Sequence, residues 1–149
     1  MFGRPALLLI LAGCASGVST DSRILAGAPG APISVDVDDV ENSSMPADNA
    51  GSRNYVIHVE VSNDSNQVQS VRQIRIVQLF GNYSLMMDTA VRDFDEMIDP
   101  GKDHEFAVPV QARPVKSIQG QNSNRMGFRV VVTLATGDAY DYDFEGPVL

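Results

Sequence analysis

From residue 32 onward the chain is built of short stretches in which apolar and polar positions alternate. In 32–40, Ile33, Val35 and Val37 fall on one side and Ser34, Asp36 and Asp38 on the other. That period of two predicts a half-buried strand. Residues 54–63 repeat the pattern more strongly, with Tyr55, Ile57, Val59 and Val61 opposed to His58, Glu60 and Ser62. Residues 71–80 are β-rich but change phase, because Ile74 and Ile76 lie on one parity and Val77 and Leu79 on the other. One extra residue flips the faces of a strand, so a bulge is expected near Ile76. Phe106, Val108 and Val110 alternate in 104–110, with Pro109 between them. Proline cannot donate a ladder hydrogen bond, so its nitrogen should face an edge or solvent. Phe128, Val130, Val132 and Leu134 alternate in 127–135, and Tyr140, Tyr142 and Phe144 alternate against Asp141, Asp143 and Glu145.

The punctuation between these stretches is turn chemistry. Asn63-Asp64-Ser65-Asn66, Gly81-Asn82, Asp99-Pro100-Gly101-Lys102 and Thr136-Gly137-Asp138 carry the residues that tight turns favour. Two polar stretches, 41–53 and 111–126, read as long loops and are the expected contact regions. Residues 83–98 are ambiguous. Leu85, Met87 and Val91 suit strands, whereas Met86, Ala90, Phe94 and Met97 also recur at helical spacing behind Ser84, a possible N-cap. Two short strands are preferred because strands flank the segment. There is no internal repeat. About seven evenly spaced strands with turns between them predict an all-β fold, an antiparallel β-sandwich.

Charge narrows the functional classes. The formal net charge is −8. An acidic surface repels phosphate backbones, so no nucleic-acid partner is expected. It also repels anionic head groups, which argues against a domain lying flat on a bilayer. Cysteine occurs once and tryptophan not at all. The fold must therefore stand without a disulfide, and Cys-His catalysis and thiolate metal sites are not expected.

The single cysteine sits in a telling place. Arg4 precedes a short apolar run, Ala6 to Ala12, and Leu11-Ala12-Gly13-Cys14 closes it. This is the layout of a secretory signal, and the run is far short of the ~20 apolar residues of a membrane-spanning helix. The four-residue motif resembles the lipobox of bacterial lipoproteins. The resemblance implies a signal peptide over 1–13, cleavage before Cys14, and lipid on its sulfur. Ala15 rather than Asp follows the cysteine, which by the sorting rule of that family implies the periplasmic face of the outer membrane. Residues 14–31 are small and polar, with Gly27, Pro29 and Gly30, and are expected to form a lipidated, flexible tether. Residues 32–149 then form the sandwich domain. Its order of strands and turns loosely resembles immunoglobulin-like and fibronectin type III modules of envelope proteins, without the tryptophan or cysteine pair of antibody domains.

Few residues carry candidate chemistry. His58 and His104 are not in a zinc-binding spacing, and no Gly-x-Ser-x-Gly turn presents a serine. His58 and His104 with Met86 and Met87 supply donors that suit copper; the plainer reading is methionine filling gaps in a core. Asp36, Asp38, Asp39 and Glu41 form one acidic group and Asp138, Asp141, Asp143 and Glu145 another. Carboxylates of this kind bind calcium or simply solvate a strand face and keep its edge from aggregating. The expectation is a non-enzymatic binding or adaptor module without a cofactor, held at the membrane through Cys14 and meeting an envelope protein. A periplasmic carrier of a small ligand, copper or calcium is the alternative, and a hydrolytic enzyme the third.

Overall fold

The computed structural model describes residues 22–42, 53–81, 83–85, 90–114 and 125–147. They form nine strands: β1 (Arg23–Ala26), β2 (Ile33–Asn42), β3 (Arg53–Asn63), β4 (Gln69–Phe80), β5 (Tyr83–Leu85), β6 (Ala90–Ile98), β7 (Asp103–Pro114), β8 (Arg125–Leu134) and β9 (Ala139–Pro147). Every pairing is antiparallel. One sheet has the order β1-β9-β8-β4-β6 and the other β2-β3-β7-β5. The neighbourhoods β2-β3-β7 and β4-β8-β9 reproduce the A-B-E and C-F-G order of an immunoglobulin-type sandwich.

The core lies between the two sheets. From the four-stranded sheet it takes Val35, Ile57, Val59, Val61, Phe106 and Val108, and from the five-stranded sheet Ile74, Ile76, Phe128, Val130, Val132 and Phe144, all nearly inaccessible. Their alternation with exposed neighbours explains why these stretches are strands. Only the extended backbone turns every second side chain inward, and each large apolar residue so buried is worth about 1.5–3 kcal/mol. Tyr142 crosses the sandwich, donating its hydroxyl to the Ile33 carbonyl at 2.6 Å.

The turns close as their residues require. Gly101 adopts φ 71° and Gly137 φ 91°, a region that glycine enters without steric cost. Asn63 is the buried polar residue of the described core, 1 % exposed. Its amide nitrogen donates to the carbonyls of Gln67 (2.7 Å) and Ile98 (2.8 Å). Its side-chain oxygen accepts from the Ser65 backbone N–H (2.9 Å) and hydroxyl (2.7 Å). The end of β3 is thereby tied to the end of β6 in the opposite sheet.

Three features differ from the sequence reading. First, Arg23–Ala26 lies within the stretch expected to be tether, yet it is a strand paired with β9. All four of its side chains are exposed, so backbone pairing rather than burial places it there. Second, the bulge expected near Ile76 lies elsewhere. The register of β4 shifts between Val71 and Gln73 and again between Gln78 and Phe80. The first shift brings Val71 onto the inner face with Ile74 and Ile76, while Leu79 is 41 % exposed rather than core. Third, β2 carries a bulge between Val37 and Asp39, which swings Val40 into the core at 5 % exposure and prolongs the strand to Asn42. The ambiguous segment contains two strands, β5 and β6. Most of the two long polar stretches, together with Met86 and Met87, lies outside the described residues, as does Cys14.

Candidate functional site

The densest grouping of ionisable side chains is on the outer face of the four-stranded sheet. Strand alternation sends Asp36 and Asp38 of β2, His58 and Glu60 of β3, and Asp103 and Glu105 of β7 away from the core. The registers Asp36↔Glu60 and Glu60↔Glu105 set carboxylates side by side across the sheet. Like charges directly opposite one another are destabilising in a sheet. The Glu60 carboxyl is accordingly raised above its usual range, first by the charge of Asp38, then by burial, Asp103, Asp36 and Glu105. Burial, followed by the charges of Asp36 and Glu105, raises Asp38 as well.

His58 is the basic side chain in this grouping. Its Nδ1 lies 3.0 Å from Glu105 Oε1 and its Nε2 3.0 Å from Glu41 Oε2. An ionised carboxylate only accepts hydrogen bonds, so both contacts are made together when the ring carries two protons. Partial burial pulls the imidazole pKa down, but the hydrogen bonds and charges of Glu41 and Glu105 outweigh it and raise it above 6.5. The ring thus ties β2, β3 and β7 together as a clasp.

The same geometry bears on metal binding. A metal needs donors that converge on one point, whereas Glu41 and Glu105 sit at opposite ring nitrogens of His58. Among the described residues, no group of three or more His, Cys, Asp or Glu side chains is arranged to hold a metal ion.

His104 is on the inner parity of β7, with Phe106, and not on the face of His58. Its ring meets Phe106 edge-on at 4.7 Å, and Phe106 in turn meets Phe94 of β6 at 4.7 Å. Its Nδ1 is 3.8 Å from Glu96 of β6. The two histidines therefore serve opposite faces of one sheet, and the structure does not bring them together.

The second acidic group lies along β9 and in the turn that precedes it. Asp143 receives two hydrogen bonds from Arg129, at 2.7 and 3.1 Å, and Asp141 lies 3.7 Å from the same guanidinium. The Arg129 hydrogen bonds hold the Asp143 carboxyl below its usual range. Asp138 accepts from Thr136 within the hairpin, and Glu145 pairs with Arg23 at 2.8 Å. Asp141, Asp143 and Glu145 thus meet cations on neighbouring strands, whereas Asp138 closes its own turn. What the sequence reading missed is the partnership of His58 with Glu41 and Glu105. Its signal was available in part, because His58 and Glu105 both stand on polar parities, but the register that brings them together is not local.

No family model matches the chain, and no curated protein does. Solved structures of similar shape include a Northeast Structural Genomics Consortium target, SoR45, with 8 % identity and a TM-score of 0.47, covering 77 % of this chain and 83 % of that one. Another is a FixG-related protein from Vibrio parahaemolyticus, with 15 % identity and a TM-score of 0.38, covering 78 % and 96 % of the two chains.

Proposed function

We propose that this protein is a lipid-anchored binding module of the bacterial cell envelope. Acyl chains on Cys14 hold it at the periplasmic face of the outer membrane, and the sandwich meets another envelope protein there without catalysing a reaction. The observation that carries this reading is Leu11-Ala12-Gly13-Cys14 at the end of an apolar run, a few residues before β1 begins at Arg23. Each methylene buried in the bilayer adds about 0.8 kcal/mol, and two or more chains give a lasting attachment. The sandwich suits a binding role because β1, β2 and β6 are outer strands of their sheets, and a partner strand can add to such an edge. Clasp, ion pairs and acidic face serve the body of the sheet, which leaves edges and strand ends for the partner.

The test is a Cys14→Ser chain expressed in a Gram-negative host. The parent protein should fractionate with the outer membrane and show the mass of a cleaved, acylated chain. The variant should keep its leader and lose the acyl mass. An unmodified parent chain, soluble and without acyl mass, would overturn the reading. Crosslinking and pull-down of the acylated protein then tests the partner; recovery of no protein would remove the adaptor role.

A further inference from the structure

The outer edge of β9 is only partly covered. Its other edge is laddered to β8 along the whole strand, without a register shift. On the outer edge β1 pairs with Asp143, Phe144 and Glu145, and no described strand pairs with residues 139–142. The chain itself ends the cover. Ala28-Pro29-Gly30-Ala31 makes a tight turn, in which the Ala31 N–H donates to the Ala28 carbonyl at 3.2 Å and Gly30 adopts φ 78°. Proline followed by a glycine of positive φ suits such a turn, and it carries the chain from β9 to β2. The other outer strands are blunted. β2 is bulged between Val37 and Asp39, the β4–β6 register shifts between Val71 and Gln73, and β5 has 3 residues. Bulges and short length discourage the addition of a strand. Among the described strands, β9 thus offers a long and regular ladder behind a short cover.

The alternation of β9 gives that edge two rows. Tyr140, Tyr142 and Phe144 face the core, and Asp141, Asp143 and Glu145 face outward. β1 touches both rows. Arg23 lies opposite Glu145 and pairs with it at 2.8 Å, and Ile24 lies opposite Phe144. The fit stops there. After a register shift Ala26 stands opposite Asp143, and Asp143 and Asp141 both turn to Arg129 of β8. β1 is also shallow: Ile24 and Leu25 are 53 % and 42 % exposed, so little apolar burial opposes its removal.

We infer that the outer edge of β9 is the docking strand of the sandwich, and that its occupant is an extended segment of a partner protein, alternating basic and apolar residues, which takes the place of β1. This rests on the adaptor reading above and not on the anchor. Such a segment continues the ladder down residues 145–139. Its apolar side chains lie beside Tyr140, Tyr142 and Phe144, and its cations lie opposite Asp141, Asp143 and Glu145. Its period of two matches that of β9, and opposite charges facing across a ladder stabilise the pairing. β1 is then a placeholder that carries one cation and one core-side isoleucine where the partner carries several of each. Adding a strand to a sheet in this way supplies affinity through the backbone and specificity through alternate side chains.

The test uses the full chain in detergent and a short fluorescent peptide that alternates arginine with valine. On binding, hydrogen exchange read by mass spectrometry should show residues 139–143 gaining protection and β1 losing it. Arg23→Glu sets like charges across the β1 ladder and should strengthen binding severalfold by loosening the placeholder. Arg23→Gln should act in the same direction if the first variant fails to fold. Asp141→Asn should weaken binding severalfold, and a peptide alternating glutamate with valine should not bind. An arginine peptide that does not bind, or that protects β2 or β6 with β9 unchanged, would overturn this docking site and leave the adaptor reading to the pull-down. Unchanged affinity in the Arg23 and Asp141 variants would overturn the chemistry assigned to the occupant. Dimers of the chain that the peptide does not disperse would give the edge to a second copy and overturn the proposal. Absence of acyl mass on Cys14 leaves this assay as it stands, because the peptide meets the sandwich and not the lipid.

Discussion

Asn63 makes four hydrogen bonds through one buried amide, to Gln67, Ile98 and twice to Ser65. Replacing it by Ala leaves the buried Ile98 carbonyl and the part-buried Gln67 carbonyl and Ser65 N–H to find other partners, and an orphaned buried group costs ~1–3 kcal/mol. Asn63→Ala should therefore destabilise the domain by roughly 2–4 kcal/mol, read as a shift of the urea midpoint with little change in slope. An equally stable variant would show that the bonds between the β3 and β6 ends carry no weight. Phe80 and Gly127 make a second pair. A Cβ on Gly127 would run into the Phe80 ring. Gly127→Ala alone should push the half-exposed Phe80 ring aside and cost about 1 kcal/mol, the low end for overpacking. In the Phe80→Ala background the same change should cost much less, and a double-mutant cycle on thermal melts measures the coupling. At this scale the sequence showed Asn63 as turn chemistry and no more. Its deep burial depends on β6, more than thirty positions away.

Among the elements, long strands were legible and irregular ones were not. The alternation in β3 and β8 predicts their inner faces correctly, because a regular strand buried on one side leaves a period-two record. The bulges in β2 and β4 break that record. In β4 the phase change betrayed a bulge but not its place, since the exposed Leu79 imitated a core position. β1 left no signal, because four exposed residues held by backbone pairing have no pattern to show. The His58 clasp also belongs to this scale, since it joins β2, β3 and β7. With its pKa raised above 6.5, its contribution is fully present below that value and is lost as the pH climbs through the folded-state pKa. Asp38, raised first by burial, and Glu60, raised first by the charge of Asp38, act in the same direction, because ionising either costs more in the folded sheet. Asp143 acts oppositely and at lower pH, losing its tie to Arg129 as it protonates. Melting temperature should therefore rise as the pH is lowered from about 8 to about 6. His58→Gln should flatten most of that rise, with His104 left in place. An undiminished slope in the variant would assign the effect to other groups.

For the molecule as a whole, fold class was readable from turns and alternation, and the pairing order was not. β4 lies between β8 and β6, and β3 between β2 and β7, so most neighbours are distant in sequence and no local pattern names them. The copper reading needed two histidines on one face; the register puts them on opposite faces, while the methionines lie outside the described residues. Charge was legible as a total, but the register that groups Asp36, Glu60 and Glu105 on one face was not.

β1 has one further consequence for a chain held at Cys14. On the proposed anchoring, a pull on the acyl chains would enter the described body through the short ladder between β1 and β9, where Arg23 also pairs with Glu145. Four solvent-facing residues bury little that would resist their detachment. Being nearest to Cys14 along the chain, this strand would be loaded before the eight that follow it. Its release would lengthen the leash by the run up to Ile33, about 30 Å at ~3.3 Å per residue, while the apolar interior stays shut. On the proposed anchoring, a short and shallow seam would thus stand where it can act as a mechanical fuse.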